Sequence, residues 1–234
     1  MKNSLICDAL TIFKGGKIII KNLGFSVMPG GFIQIIGENG TGKTSLIRCI
    51  ARLDISNDGS ISYNSCDIDD FIDEYKQIIL YISDKEQVIE HFTVYETLNF
   101  WSKLYGNEML LPAACHTVGL DDYLETQIKF LSKGLKKRVI LARLLLQKAR
   151  IWLLDEPFTH LDQNSITIVE NIISTHLANG GIVIMIDHSK NFGKLYGKDI
   201  ADVENIGYKI RNSSQLEKQK TLLEIQDFKV NEAQ

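Results

Sequence analysis

The sequence predicts an α/β fold with a mostly parallel core sheet, and three observations carry that expectation. Residues 32–36 form a strongly apolar run and residues 151–154 and 182–186 continuous apolar runs, all of strand length, the pattern of strands buried on both faces of a parallel sheet. The first run feeds a glycine-rich turn and then a helical pattern, and the last two runs are separated by another helical pattern, the alternation of an α/β chain. Between them, from about residue 93 to residue 149, apolar residues recur at helical spacing.

Taken in order, residues 18–20 and 25–27 are β-like and lead through Pro29-Gly30-Gly31, a turn, into the first apolar run. Residues 43–53 read as a helix with Leu46, Ile47 and Ile50 on one face, and Asn57-Asp58-Gly59 turns the chain into another strand. Leu98, Trp101, Leu104 and Tyr105 lie on one helical face, and a long second helix is expected over 135–148. The aromatic residues Phe92, Tyr95, Phe100, Trp101 and Tyr105 of this region suit either a helical core or a partner dock. Residues 165–177 form a further helix, stopped by Asn179-Gly180-Gly181. Residues 211–234 read as a polar tail, either a weak helix or a frayed end.

Composition narrows the function classes. Hydrophobic residues make up 44% and charged residues 24%, which excludes a disordered or fibrous chain. Lys plus Arg is 26 against 29 Asp plus Glu, a formal net charge of −3, so no basic surplus points to nucleic acid. No apolar run approaches the roughly 20 residues of a membrane-spanning helix, and residues 1–10 lack the apolar region of a signal peptide, so a cytosolic location is expected. Cys7, Cys49, Cys66 and Cys115 form no C-x-x-C pair and read as reduced thiols.

Gly37-Glu38-Asn39-Gly40-Thr41-Gly42-Lys43-Thr44 fits G-x-x-x-x-G-K-[ST], set between an apolar strand and a helix. Glycines let successive backbone N–H groups wrap phosphate oxygens at the positive end of a helix dipole. Lys43 would neutralise the β and γ phosphates, the Thr44 hydroxyl would hold Mg²⁺, and Ser45 completes the nucleotide-binding set. Downstream, the apolar run 151–154 ends in Asp155-Glu156-Pro157. Asp155 would hold the Mg²⁺ shell, and Glu156 would polarise the attacking water as general base.

Leu131-Ser132-Lys133-Gly134-Leu135, followed by Lys136-Lys137-Arg138, places an N-capping Ser and a Gly at the start of a helix, a second anion-binding terminus in one chain. With the phosphate loop and the paired carboxylates, this segment resembles the signature motif of the ATP-binding subunits of ABC transporters, over about the first 200 residues. The resemblance implies a P-loop NTPase of the ABC ATPase type: one domain over residues 1–210 with an antiparallel β lobe and a helical lobe at about 86–149. It implies ATP and Mg²⁺ as ligands, hydrolysis as the activity, and a homodimer in which Ser132 and Gly134 of one chain face the γ-phosphate held by the other. Asp162, in Leu161-Asp162, resembles the D-loop that crosses such a dimer. His188 resembles the switch histidine that contacts the γ-phosphate, making it catalytic together with Glu156 and Lys43. Phe13 is the candidate aromatic for stacking on adenine.

Two positions depart from the family pattern. Leu135 stands where many relatives have Gln. A gap-free count back from residues 93–98 puts Lys85 at the Q-loop glutamine, with Gln87 two residues on; either residue is open, and Gln87 is retained as a candidate metal residue. Within the family, Leu98-Asn99-Phe100-Trp101, Leu141-Ala142-Arg143-Leu144 and the segment from Trp152 to Phe158 resemble the heme-exporter ATPases of cytochrome c biogenesis. That likeness implies integral membrane permease partners, CcmB-like and CcmC-like, no nucleic acid, and a peripheral location on the cytoplasmic face of the inner membrane. Other readings are the ATPase of a different ABC transporter, a soluble ABC ATPase, a P-loop kinase, and a non-hydrolysing regulatory subunit. A soluble ABC ATPase usually carries a coiled-coil insertion or two cassettes, which this chain lacks, and a kinase has no use for residues 131–138.

Overall fold

Leu5, Cys7, Leu10 and Ile12 point inward along β1 (Leu5–Lys14), which the sequence reading passed over. Its period-two alternation is broken by register shifts between Cys7 and Phe13 and by Ala9 at φ 50°, so the apolar spacing slips part-way along the strand. In the computed structural model, which describes residues 3–56, 58–85, 88–187 and the backbone of 220–225, β1 pairs antiparallel with β2 (Lys17–Val27) and β4 (Asp58–Tyr63). The short β5 (Cys66–Asp67) closes this four-stranded sheet in the order β2-β1-β4-β5. The two β-like pieces expected at 18–20 and 25–27 are parts of the single strand β2.

The second sheet is parallel, and its five strands are β3 (Phe32–Gly37), β6 (Ile79–Ile82), β7 (Ile151–Asp155), β8 (Ile182–Ile186) and β9 (Lys220–Ile225) in the order β6-β7-β8-β3-β9. The continuous apolar sequence of Ile151–Leu154 and of β8 follows from burial on both faces. Ile151 and Leu153 of β7, with Ile182, Ile184 and Ile186 of β8, pack toward the antiparallel sheet and α1 (Lys43–Ile50). Trp152 and Leu154, with Val183 and Met185, face the opposite way, into the helical core. β9 lies within the segment read as a polar tail, and it runs beside β3 as an edge strand.

The helical core is built from α3 (Val94–Leu104), α4 (Leu111–Thr117), α5 (Lys133–Leu141), α6 (Arg143–Leu146) and α7 (Gln163–Ala178), while α2 (Ile72–Ile78) leads into β6. α3 starts at a capping box in which Thr93 and Glu96 satisfy each other's backbone N–H groups. Trp101 is buried beneath the Arg143 guanidinium, 5.3 Å from its ring centroid, whereas Phe92, Tyr95 and Phe100 remain exposed. The aromatic group therefore divides between core and surface.

Two helices end sooner than their spacing suggests. α1 stops at Ile50, and Arg52 turns left-handed at φ 54°. The helix expected over 135–148 is divided at Ala142. Its end is held by tertiary hydrogen bonds: Asn107 Nδ2 donates to the Leu146 carbonyl (2.9 Å), and Gln147 Nε2 donates to the Ile79 carbonyl (2.8 Å). Among the described residues no helix is long and apolar enough to cross a membrane.

Candidate active site

All strands of the second sheet run the same way, so the carboxyl ends of β3, β6 and β7 share one edge, where open α/β sheets bind ligands. β3 delivers the phosphate loop there, β7 delivers Asp155 and Glu156, and the turn after β6 delivers Asp84. These segments wall a cleft of about 320 Å³ lined by Asn39, Gly40, Gly42, Lys43, Thr44, Ser45, Asp84, Asp155 and Glu156, with Lys14, Ile19 and Ile186 at its sides.

The loop is shaped for close approach of an anion. Gly40 and Gly42 sit at φ 88° and 98°, conformations that an L side chain resists. Gly42 caps α1 without any side-chain hydrogen bond, so the first-turn N–H groups are left for a ligand. Thr41 instead ties the loop to itself, its hydroxyl donating to the Glu38 carbonyl at 3.0 Å. The Lys43 ammonium folds back and donates to the carbonyls of Gly37 (2.8 Å) and Glu38 (2.7 Å). Burial holds its pKa below the ordinary lysine range, and the Glu156 and Asp155 charges push it back up.

Asp155 is 2% exposed at the end of β7. Burial raises its carboxyl above the usual range; the hydrogen bond donated by Thr44 opposes this, Asp84 and Glu156 reinforce it, and Lys137 offsets it. Its Oδ2 is buried with no hydrogen-bond partner. A buried carboxylate oxygen left unpaired beside a Thr hydroxyl fits a hard divalent cation, whose oxygen ligands are of this kind. Glu156 adopts φ 48°, a left-handed turn that brings its carboxylate to the cleft, where the Thr159 hydroxyl donates to Oε2 at 3.2 Å.

The second helix start lies outside this cleft. Ser132 is exposed and caps α5, its hydroxyl accepting from the Leu135 N–H at 3.2 Å. Gly134 is where it must be: a Cβ there would meet the His160 carbonyl at 2.9 Å. Asp162 caps α7, accepting from the Ser165 N–H at 2.8 Å, and that hydrogen bonding keeps its pKa low. α5 and the loop preceding α7 are thus in contact at Gly134 and His160. Phe13 is 46% exposed at the end of β1, beside the cleft wall formed by Lys14 and Ile19. His188 and Gln87, both expected in the site, lie outside the described residues.

Three residues of this region escaped the sequence reading. Asp84 lines the cleft, and Lys137 is buried and faces its carboxylates. Gln34, 4% exposed in the middle of β3, donates to the Asp187 carbonyl at 3.1 Å and so anchors the end of β8. Only Gln34 left a local signal, a polar residue inside an apolar strand, where burial demands a partner.

Comparison with known proteins agrees with this geometry. Residues 20–159 match the family model described as ABC transporter. The chain is 34% identical over 186 residues to the cytochrome c biogenesis ATP-binding export protein CcmA of Vibrio vulnificus, covering 78% of this chain and 91% of that protein. The protein of the same name from Wolbachia pipientis is 37% identical over 185 residues, covering 79% and 89%. Among solved structures, an ATP-binding subunit of an ABC transporter superposes with a TM-score of 0.74 at 26% identity, covering 82% of each chain. A putative ABC transporter ATP-binding protein from Pyrococcus furiosus gives 0.70 at 28%, covering 80% of this chain and 92% of that one.

Proposed function

The chain belongs to the ABC transporter ATPase family, which binds and hydrolyses ATP, and from that premise we propose that it dimerises on ATP and drives a membrane permease in cytochrome c biogenesis, in heme export or heme handling. The observation that carries the dimer is the separation of two anion-binding helix starts. α1 opens into the cleft, whereas no residue of 131–138 lines it, so Ser132 and Gly134 find their phosphate on a second copy.

In this reading the loop amides, Lys43 and Ser45 hold the triphosphate, and Lys43 exchanges the carbonyls of Gly37 and Glu38 for phosphate oxygens. Thr44 and Asp155, with Gln87, would hold Mg²⁺, which would supply neutralising charge at the triphosphate. Glu156 orients and deprotonates the attacking water, while His188 contacts the γ-phosphate. Phe13 stacks on the base. Hydrolysis removes the contacts that Ser132, Gly134 and Asp162 make across the interface, and the dimer opens, a ligand-driven shift between two states. Residues 1–210 carry the ATPase machinery with the helical lobe at about 86–149, and the polar segment 211–234 contributes β9 to the edge of its parallel sheet.

The heme assignment rests on the two relatives named above, and the exposed Phe92, Tyr95 and Phe100 supply a face for membrane subunits, CcmB-like and CcmC-like. Such a subunit sits peripherally on the cytoplasmic face of the inner membrane. The test is purification of the tagged chain from detergent-solubilised membranes, with identification of bound proteins and an absorbance scan for heme. Recovery of CcmB-like and CcmC-like proteins supports the assignment. A different permease keeps the ATPase mechanism and discards the heme assignment, and a ribosomal or DNA-bound assembly overturns the transporter reading.

A further inference from the structure

Lys137 is 7% exposed, a degree of burial that an ammonium tolerates only where opposite charge compensates it. The charges that face it come from two other elements: Asp155 and Glu156 at the end of β7, and Asp84 in the turn after β6. Burial lowers the Lys137 pKa and these three carboxylates oppose that shift. Its placement follows from the helix that carries it. Gly134 and Lys137 are three residues apart on α5 and so share a face, and Gly134 packs against the His160 carbonyl, which turns that face toward the loop that follows Asp155 and Glu156.

We propose that Lys137 is a positioning residue for ATP hydrolysis: an ammonium, brought by the helix that starts at Ser132 and Gly134, that sets the electrostatic field on Asp84, Asp155 and Glu156 of its own chain. It touches neither phosphate nor metal. It restrains the three mutually repelling carboxylates while the cleft is empty, and it weakens their hold on a dication. Because it rides on the same helical turn as Gly134, any shift of α5 when that helix start meets its phosphate changes the field at the carboxylates that hold the cation and activate water. This inference rests on the metal and base assignments proposed above for Asp155 and Glu156.

The test uses the full chain with Lys137→Met and Lys137→Arg. Mn²⁺ binding in the presence of AMP-PNP is followed by electron paramagnetic resonance, and kcat and KM for ATP are measured separately. Lys137→Met binds Mn²⁺ about three- to tenfold more tightly, the effect expected on removing one repelling unit charge from the surroundings of a dication in a water-like dielectric. Its kcat falls at least roughly tenfold with KM nearly unchanged, as for loss of an interaction made in the transition state, and Lys137→Arg restores both. Mn²⁺ affinity unchanged in Lys137→Met, or a slow Lys137→Arg, overturns the proposal and leaves Lys137 a packing residue. Wild-type protein that binds no Mn²⁺ with AMP-PNP overturns the metal assignment beneath it.

Discussion

The Thr44 hydroxyl donates to the Asp155 carboxylate, joining the first turn of α1 to the last residue of β7. The pair joins two segments more than 100 positions apart in sequence, and Asp155 Oδ2 is buried without a hydrogen-bond partner. Under the proposed role of Thr44 and Asp155 as cation ligands, the two groups stand together before any cation arrives, so binding would need little reordering.

Asp155→Asn tests this arrangement through stability. Burial raises the Asp155 carboxyl pKa in the folded chain, so the folded state binds its proton more readily than the unfolded chain does. This group's contribution to stability therefore falls as pH rises through the ordinary carboxylate range toward the raised value. Without metal at pH 7.5, Asp155→Asn melts at or above the wild-type temperature in differential scanning fluorimetry. Mg²⁺ with AMP-PNP stabilises the wild type and leaves the variant nearly unmoved, because a ligand stabilises only the state that binds it.

Lys43→Ala removes the ammonium that now caps two loop carbonyls. At about 1.5–3 kcal/mol for a charged hydrogen bond, loss of the phosphate contacts weakens ATP binding roughly 100-fold. Titration with a fluorescent ATP analogue reads it directly, and a normal melting temperature for the free variant separates lost binding from lost folding.

Gly134→Ala inserts a Cβ 2.9 Å from the His160 carbonyl. Overpacking of this kind costs about 1–3 kcal/mol and pushes α5 away from the loop before α7. ATP binding by the isolated chain stays within a factor of a few, whereas ATPase activity falls more than roughly tenfold. Equal losses of binding and activity would place Gly134 in the chain's own cleft.

His176 gives a pH dependence of the opposite sign from Asp155. Its ring stacks on Trp152 at 3.6 Å, and burial lowers its pKa from 6.5 to about 4, against the carbonyls of Arg150 and Ile182, which favour the charged form. The unfolded chain takes up the proton first, so this contribution to stability is intact above about pH 6.5 and is lost as pH falls toward about 4. Urea midpoints followed by tryptophan fluorescence fall between those values in the wild type. They fall less steeply in His176→Asn, which keeps a donor and removes the titrating ring.

What the sequence displayed was whatever is contiguous. The phosphate loop from Gly37 to Thr44 and the Asp155-Glu156 pair each sit at one strand end, so spacing along the chain is spacing in the site. β1 was hidden by its register shifts, and the helical pattern of 135–148 stops at Leu146 without a breaker residue because tertiary hydrogen bonds from Asn107 and Gln147 hold its end. Asp84 and Lys137 were invisible for the same reason in stronger form. Each is an ordinary charged residue until the strand order brings the ends of β6 and β7 together with α5.

The central claim, that ATP is enclosed between two copies of this chain, is tested most directly with Glu156→Gln. Removing the general base slows hydrolysis roughly 100- to 10,000-fold while the phosphate contacts remain. Size-exclusion chromatography with light scattering, run with ATP and Mg²⁺, then finds a long-lived dimer that disappears without nucleotide and in the Glu156→Gln, Ser132→Arg double variant. A Glu156→Gln protein that binds ATP yet stays monomeric would contradict the account.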